Sequence, residues 1–160
     1  IIGDAFGSVS ECGIKALIGD TVAAYTSWLS AVELTVRVQS GIGEGHNITV
    51  AIDRLVSAPV IFARFSYDAP SSIVVEQANG PTSGGKRITI RGNNFGEADY
   101  TARARIGGTA CETTVWVKNE EVVCQIPAGY GTEKEVVLTV AQRIDQAGTL
   151  SRAFTYDVPD

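Results

Sequence analysis

The sequence predicts an all-β protein that consists of two tandem β-sandwiches, and two observations predict it. The first is an internal repeat, in which three groups of residues recur at an offset of 88 or 89 residues: Gly3–Gly7 matches Gly92–Gly96, Trp28 matches Trp116, and Phe65–Pro70 matches Phe154–Pro159. The second is a succession of short alternating segments separated by glycine-rich turns. A repeat of this length is one small domain, whereas a solenoid unit is shorter.

The strands are easiest to recognise in the second copy. Polar and apolar residues alternate in Arg87–Arg91, in Ala102–Ile106 and in Val136–Val140, which is the pattern of half-buried strands. The segment Val22–Leu34 and its counterpart Ala110–Val122 each predict two strands separated by a turn. About seven short strands in fewer than about ninety residues indicate an antiparallel sandwich of immunoglobulin type.

Length and charge limit the remaining possibilities. The chain has 160 residues, so the repeat predicts one domain over 1–70 and a second over 71–160. Domains of this size are near the lower limit for a self-sufficient core. The net charge of −5 leaves neither copy with a basic surface, which argues against nucleic acid as a partner. No segment has the roughly 18 consecutive apolar residues of a membrane span.

Several motifs of the second copy together resemble a known family. They are Gly80–Gly85 (Gly-Pro-Thr-Ser-Gly-Gly), Ile88–Gly96 with its Gly-Asn-Asn-Phe-Gly turn, Cys111, Cys124–Gly129, and Phe154–Asp157. In order and spacing this set resembles the IPT/TIG domain, an immunoglobulin-like sandwich of the E-set type. The resemblance covers all of the second copy. It implies two tandem IPT/TIG-like sandwiches.

The first copy departs from this pattern at its opening edge and at the cysteines. Its counterpart of Ile90 is Ile1, so it lacks the opening strand and most of the next one. We therefore expect 1–70 to be an N-terminally incomplete domain whose open sheet edge accepts a strand from another copy of the chain or from a flanking IPT/TIG module. The junction Asp68–Ser71 recurs as Asp157–Asp160, and from this recurrence we expect further modules to follow.

The resemblance implies a disulfide between Cys111 and Cys124, where this family often carries one. On the chain-entropy model such a bridge stabilises a domain by roughly 3 kcal/mol, and it indicates an oxidising compartment. Ala23 and Val36 stand at the equivalent positions of the first copy. Cys12 has no counterpart, and the sequence leaves open whether it is a buried thiol or part of an intermolecular bridge.

Asn47-Ile48-Thr49 is a sequon for N-linked glycosylation. Alternation through Ile48, Val50 and Ile52 directs these side chains inward and Asn47 outward. We therefore expect a glycan on Asn47. Together with the implied disulfide, the sequon favours an extracellular or cell-surface glycoprotein.

The sequence predicts no catalytic, cofactor or metal site. The single histidine, His46, has no counterpart in the second copy, so a catalytic triad has little support. Gly41–Gly45 superficially resembles a phosphate loop, but no Lys-Ser/Thr pair closes it, and a hairpin turn is the simpler interpretation. A polar group in the second copy fits a polar turn better than a calcium site: Asn93, Asn94, Glu97 and Asp99.

These observations favour a non-enzymatic structural or adhesive protein, in which tandem modules form part of a cell-surface fibre, filament or stalk. The alternative is a ligand- or carbohydrate-binding ectodomain, as in plexin-like receptors or polysaccharide-acting proteins that carry the same module. For that role Trp28 and Trp116 are candidate stacking residues, although core packing explains a repeated tryptophan more simply. The DNA-binding use of this family conflicts with the acidic charge, the sequon and the cysteine pair.

Overall fold

The computed structural model describes residues 1–4, 6–7, 13–53, 55–57 and 64–158. These residues form strands, turns and one 3-10 turn, Ile144–Gln146, which confirms the all-β fold. They divide into a first unit, Ile1–Ser40 with Glu44–Ser66, and a second unit, Gly41–Gly43 with Tyr67–Asp160. The domain boundary between residues 70 and 71 stays a prediction. Cys12, Pro159 and Asp160 lie outside the described residues.

The described part of the first unit contains β1 (Ile14–Ile18), β2 (Thr21–Val22), β3 (Tyr25–Ser30), β4 (Glu33–Arg37), β5 (His46–Ile52), β6 (Leu55–Val56) and β7 (Arg64–Phe65). One sheet has the order β2-β1-β5-β6, and β7 also pairs with β5. The antiparallel pair β3-β4 is the second sheet. Residues Ile1 to Gly3 run along β4, with an isolated bridge between Ile2 and Glu33.

The second unit contains β8 (Ser71–Glu76), β9 (Asn79–Gly80), β10 (Arg87–Asn93), β11 (Arg103–Ile106), β12 (Thr109–Ala110), β13 (Thr113–Lys118), β14 (Glu121–Gln125), β15 (Lys134–Thr139) and β16 (Ala147–Tyr156). Two sheets, ordered β13-β14-β10-β8 and β12-β11-β15-β16-β9, form the sandwich. The strand pairs predicted over 22–34 and 110–122 are confirmed as β3-β4 and β13-β14.

The two-residue period of the strands places the core between the sheets. In β14, Val122 and Cys124 are fully buried, while the residues between and beside them are only half-buried. Phe95, Phe154 and Tyr156 are also buried in this core. In the first unit Phe6 takes the place of Phe95 and is buried with Leu34 and Val50. Phe6 and Phe95 thus occupy equivalent buried positions in the two copies.

Two glycine-rich segments behave differently. Gly84 and Gly85 have φ of +76° and +80°, a conformation that glycine adopts without strain, and the amide of Gly84 donates to Pro81 O at 3.0 Å to close the predicted turn. The prediction of a hairpin turn at Gly41–Gly45 is wrong, because β4 and β5 belong to different sheets. The segment is a crossover between sheets, which local sequence cannot distinguish from a hairpin.

Candidate functional site

The same backbone frame surrounds the Phe-Gly turn in both copies. In the first, the amides of Gly3 and Phe6 donate to Val32 O and Ala31 O at 2.9 and 2.8 Å. In the second, the amides of Gly92 and Phe95 donate to Glu120 O and Asn119 O at 3.1 and 2.9 Å. The turn therefore joins the strand before it to the hairpin that follows in each copy.

A second repeated contact fixes the strands beside the position of Cys111, namely β1 in the first unit and β11 in the second. The amide of Ala16 donates to Thr26 Oγ1 at 3.0 Å, and the amide of Ala104 donates to Thr114 Oγ1 at 3.1 Å. Ala23 N donates to Ala16 O, and Cys111 N donates to Ala104 O, both at 2.9 Å. The position of Cys111 is thus built in the same way in the copy that lacks the cysteine.

Cys111 and Cys124 form a disulfide with a Cα–Cα distance of 5.8 Å. Cys124 is fully buried in β14, and Cys111 is half-buried just after β12. The bridge therefore joins the two sheets of the second sandwich across the core. This is the pairing that the family resemblance implies.

Asn47 is exposed near the start of β5. Its backbone carbonyl accepts a hydrogen bond from Gly19 N at 2.7 Å. Val50 is buried and Ile48 and Ile52 are half-buried, so the strand directs its apolar side chains away from the asparagine side. This exposure is what attachment of a glycan requires, and glycosylation itself stays a prediction.

The tryptophans pack at the edge of the core. Trp116 is half-buried against the core of the second unit, and its Nε1 donates to Gly96 O at 3.2 Å. Trp28 packs in the same way in the first unit, where its buried Nε1 has no acceptor among the described residues. These contacts engage the tryptophan in the fold, which leaves less of the ring for stacking on a sugar.

The polar residues near the second Phe-Gly turn are used by the turn itself. Asn94 Nδ2 donates to Ala69 O at 3.3 Å, and Thr101 N donates to Asp99 Oδ1 at 2.9 Å. Asn119 Nδ2 donates to Glu97 Oε1 at 3.0 Å. Within the part of the chain that the structure describes, no group of three or more His, Cys, Asp or Glu side chains could hold a metal ion. His46 begins β5 opposite Phe65.

Tyr156 anchors the end of the last strand. Its hydroxyl donates to Pro127 O at 2.9 Å, and its ring lies over Gly129, where a Cβ would meet Cζ at 2.6 Å. Burial raises the pKa of Tyr156 above its ordinary value.

One feature escaped the sequence analysis, and a second was expected only in outline, as an open sheet edge. On the outer face of the second unit, Arg91 contacts Glu76 and Glu121 at 2.7 and 2.5 Å, and these hydrogen bonds raise its pKa. In the first unit a groove of about 340 Å³ opens beside β4, and residues from both sheets line it: Ile1, Ile18, Leu34, Val36, Ile48 and Phe65. Only the paired strands of the folded chain bring either set together.

The described residues include no helix that is long and apolar enough to cross a membrane.

Comparison with known proteins places the second copy in a family. The IPT/TIG domain model matches residues 70–156, just over half of the chain. Plexin-B3 of Rattus norvegicus is 33% identical over 95 residues, which are 56% of this chain and only 5% of that protein. This chain therefore spans about a twentieth of the length of that relative.

Solved structures give weaker similarities. An auxiliary nutrient binding protein of Bacteroides ovatus is 24% identical, with a TM-score of 0.45, over 56% of this chain and 21% of its own. The full extracellular region of plexin A4 is 18% identical, with a TM-score of 0.46, over 98% of this chain and 14% of its own.

Proposed function

Because this chain belongs to the IPT/TIG family, we propose that it is a non-enzymatic segment of an extracellular or cell-surface glycoprotein, with a structural or adhesive role in a fibre, filament or stalk. Its modules associate with flanking modules or with other copies of the chain. The disulfide between Cys111 and Cys124 carries the proposal. Such bridges persist in secreted proteins and are rare in reducing compartments.

One further observation supports an extracellular location, and a second argues against a polyanionic partner. Asn47 is exposed on a strand, so a glycosyltransferase can reach its side-chain amide. The chain is acidic, with a net charge of −5, which suits solubility better than binding to a polyanion. Neither observation depends on the disulfide.

A structural role fits the way in which polar groups are used. The asparagine and aspartate side chains around the second Phe-Gly turn hold the turn, and Tyr156 holds the end of β16. A module of this kind presents a fixed shape between its neighbours. The conserved use of one frame in both copies is what repeated spacers need, since each must keep the same geometry.

The experiment is expression of the chain behind a secretory leader in eukaryotic cells, with N47Q as the matched control. We expect the secreted chain to lose mass on treatment with an N-glycosidase, and N47Q to show no such loss. We also expect non-reducing peptide mapping to find Cys111 joined to Cys124. Secretion at the mass of the bare polypeptide, or Cys12 joined to either of these cysteines, would contradict the proposal.

The similarity to Plexin-B3 favours a second candidate, a ligand-binding segment of a receptor ectodomain. The two candidates differ in what the chain does when purified. A structural segment, extended by its flanking modules, forms rods or filaments in electron micrographs. A receptor segment instead stays dispersed and binds a soluble ligand.

A further inference from the structure

Three of the four edge strands of the second sandwich are unsuited to pairing with another strand. The outermost strands of its two sheets are β8, β9, β12 and β13. β9 and β12 have only two residues each. β8 has six residues, but Ser72 within it has a φ of +52°, which interrupts the extended conformation. Short or distorted edges are a usual protection against unwanted strand pairing.

The fourth edge strand, β13, lacks this protection along most of its length. It has six residues, none of which is proline or has a positive φ. Among the described residues β13 pairs only with β14, in a regular register from Thr113 to Trp116 and with a bulge before Lys118. Its valines are exposed, Val115 by 55% and Val117 by 45%. An extended apolar strand with one side unpaired is a template for a further strand.

The two ends of β13 carry opposite charges on the outer face of the sheet. Glu112 lies beside Gln125, whose Nε2 donates to Glu112 Oε2 at 2.6 Å. Lys118 lies opposite Glu121, which contacts Arg91 on the outer face. None of the ion pairs of the described residues includes Lys118. A strand with a carboxylate at one end and an ammonium group at the other is complementary to a second copy of itself that runs antiparallel.

Charge favours one register for such a pair. Alternate side chains of a strand face the same side, so a pair centred on any one residue keeps outward side chains opposite each other. Centred on Val115, two copies of β13 place Lys118 of each opposite Glu112 of the other. Centred on Trp116, they place Glu112 opposite Glu120, and like charges directly opposite each other destabilise a strand pair. The neighbouring register on the other side brings no opposite charges together.

We propose that β13 is a self-association edge, through which two copies of the chain pair antiparallel about Val115 and join their sheets into one continuous sheet. The valines of both edges extend the outer face across the pair, and a Lys118–Glu112 ion pair at each end fixes the register. The inference rests on the proposed function, because it names the surface through which copies of the chain associate. The contact is isologous, since both subunits use the same patch.

The first copy lacks this complementarity. The strand that corresponds to β13 is β3, which pairs only with β4 among the described residues. Ala24 and Ser30 stand where the second copy has Glu112 and Lys118. Each chain therefore contributes one charge-matched edge, and association through it stops at a dimer.

The pairing is weak for a single pair of chains. Two six-residue edges make a small contact, and contacts below about 1,200 Å² are typical of weak association. Affinity rises when several such contacts are joined in one chain. The contact therefore suits lateral association between long chains that carry many modules.

Sedimentation equilibrium of the full chain over a range of concentrations tests the proposal, with V115K as the disrupting variant. We expect the unmodified chain to form dimers that dissociate on dilution. The dissociation constant should be at least about tenfold higher in V115K, because two lysines then lie opposite each other. V74K is the matched control: Val74 is 57% exposed on β8, at the other edge of the same sheet. Lysine there should leave the association unchanged.

Charge exchange tests the register. K118E and E112K each place like charges opposite each other, so each variant alone should associate more weakly than the unmodified chain. A mixture of the two variants places opposite charges at both ends of the pair and should form mixed dimers. The double variant E112K/K118E should likewise regain dimers. Thermal unfolding of each variant checks that the second unit stays folded.

The remaining outcomes overturn the proposal. The absence of dimers at about 1 mM unmodified chain would mean an affinity too low for a specific contact. Dimers of V115K as stable as those of the unmodified chain would place the contact elsewhere, and loss of dimers in V74K would place it on the outer face of the sheet. Single charge variants that fail to associate when mixed would rule out the register. These readouts do not involve the glycan or the disulfide, so failure here leaves the proposed function standing.

Discussion

The described residues of the two units build the same frame around core clusters of different size. Among the described residues, fourteen buried residues form one core cluster in the second unit, whereas the cluster of the first unit holds three. The hydrogen bonds at the Phe-Gly turn and at the cysteine position are nevertheless repeated within a few tenths of an ångström. Local backbone geometry in this fold is therefore set by the hairpin and its turn.

The prediction with the largest expected loss of stability removes the buried phenylalanine ring from each core. F95A should destabilise the second unit by about 3–5 kcal/mol, because it removes a fully buried ring from a closed core. F6A should cost less in the first unit, where the cluster of described residues around this ring is small. Amide exchange resolved by peptide gives the free energy of opening of each unit separately. Equal losses in the two units would show that core size does not govern stability here.

The hydrogen-bonded frame could be predicted from the sequence much better than the packing of the core. Alternation in Arg87–Arg91 located a strand because it is a local signal, whereas the disulfide was implied by the family resemblance. The crossover at Gly41–Gly45 looked like a hairpin, since the choice of sheet depends on partners that are distant in sequence. The groove beside Val36 was expected only in outline, as an open edge. Its lining joins strands from both sheets, and no short segment of sequence contains that information.

The next prediction concerns the disulfide between Cys111 and Cys124. The double variant C111A/C124A should destabilise the second unit by roughly 3 kcal/mol, the value that the chain-entropy model gives for a loop of this size. Denaturation in urea with and without reductant measures the loss. Unmodified protein in reductant is the matched control and should lose a similar amount. A double variant as stable as the oxidised protein would mean that the bridge contributes nothing.

Introducing a disulfide into the first unit tests whether the backbone there has the geometry that such a bond requires. Because Ala23 and Cys111 make the same backbone hydrogen bond, A23C/V36C should form a disulfide on oxidation. Engineered bridges deliver less than native ones, so we expect a gain of about 1–2 kcal/mol. The single variant A23C controls for the substitution itself. Free thiols in the oxidised double variant would show that the frames differ at this position.

Glycines before the Phe-Gly turn test the open edge directly. A Cβ on Gly92 would lie 2.6 Å from Ser71 O of β8 and 2.7 Å from Phe95 Cζ, whereas a Cβ on Gly3 would meet only the ring of Phe6. A backbone oxygen held in a strand cannot move aside as easily as an aromatic side chain. G92A should therefore cost about 1–3 kcal/mol, and G3A clearly less. Comparable losses would indicate that a strand also lies against Gly3.

The smallest expected effect concerns Tyr156 and alkaline pH. Burial raises the pKa of this phenol above its ordinary value of 10.0, so the folded state holds the proton more tightly than the unfolded state does. Its contribution to stability is therefore complete below about pH 10 and is lost as the pH rises through the folded pKa. Y156F removes the titrating group and the hydrogen bond to Pro127 O, at a cost of about 1 kcal/mol near neutral pH. Urea denaturation at neutral pH and at pH values above 10 should show the difference between the two proteins shrinking as the pH rises. Parallel losses of stability with pH in Y156F and the unmodified chain would mean that other groups, and not this buried phenol, set the alkaline limit of the second unit.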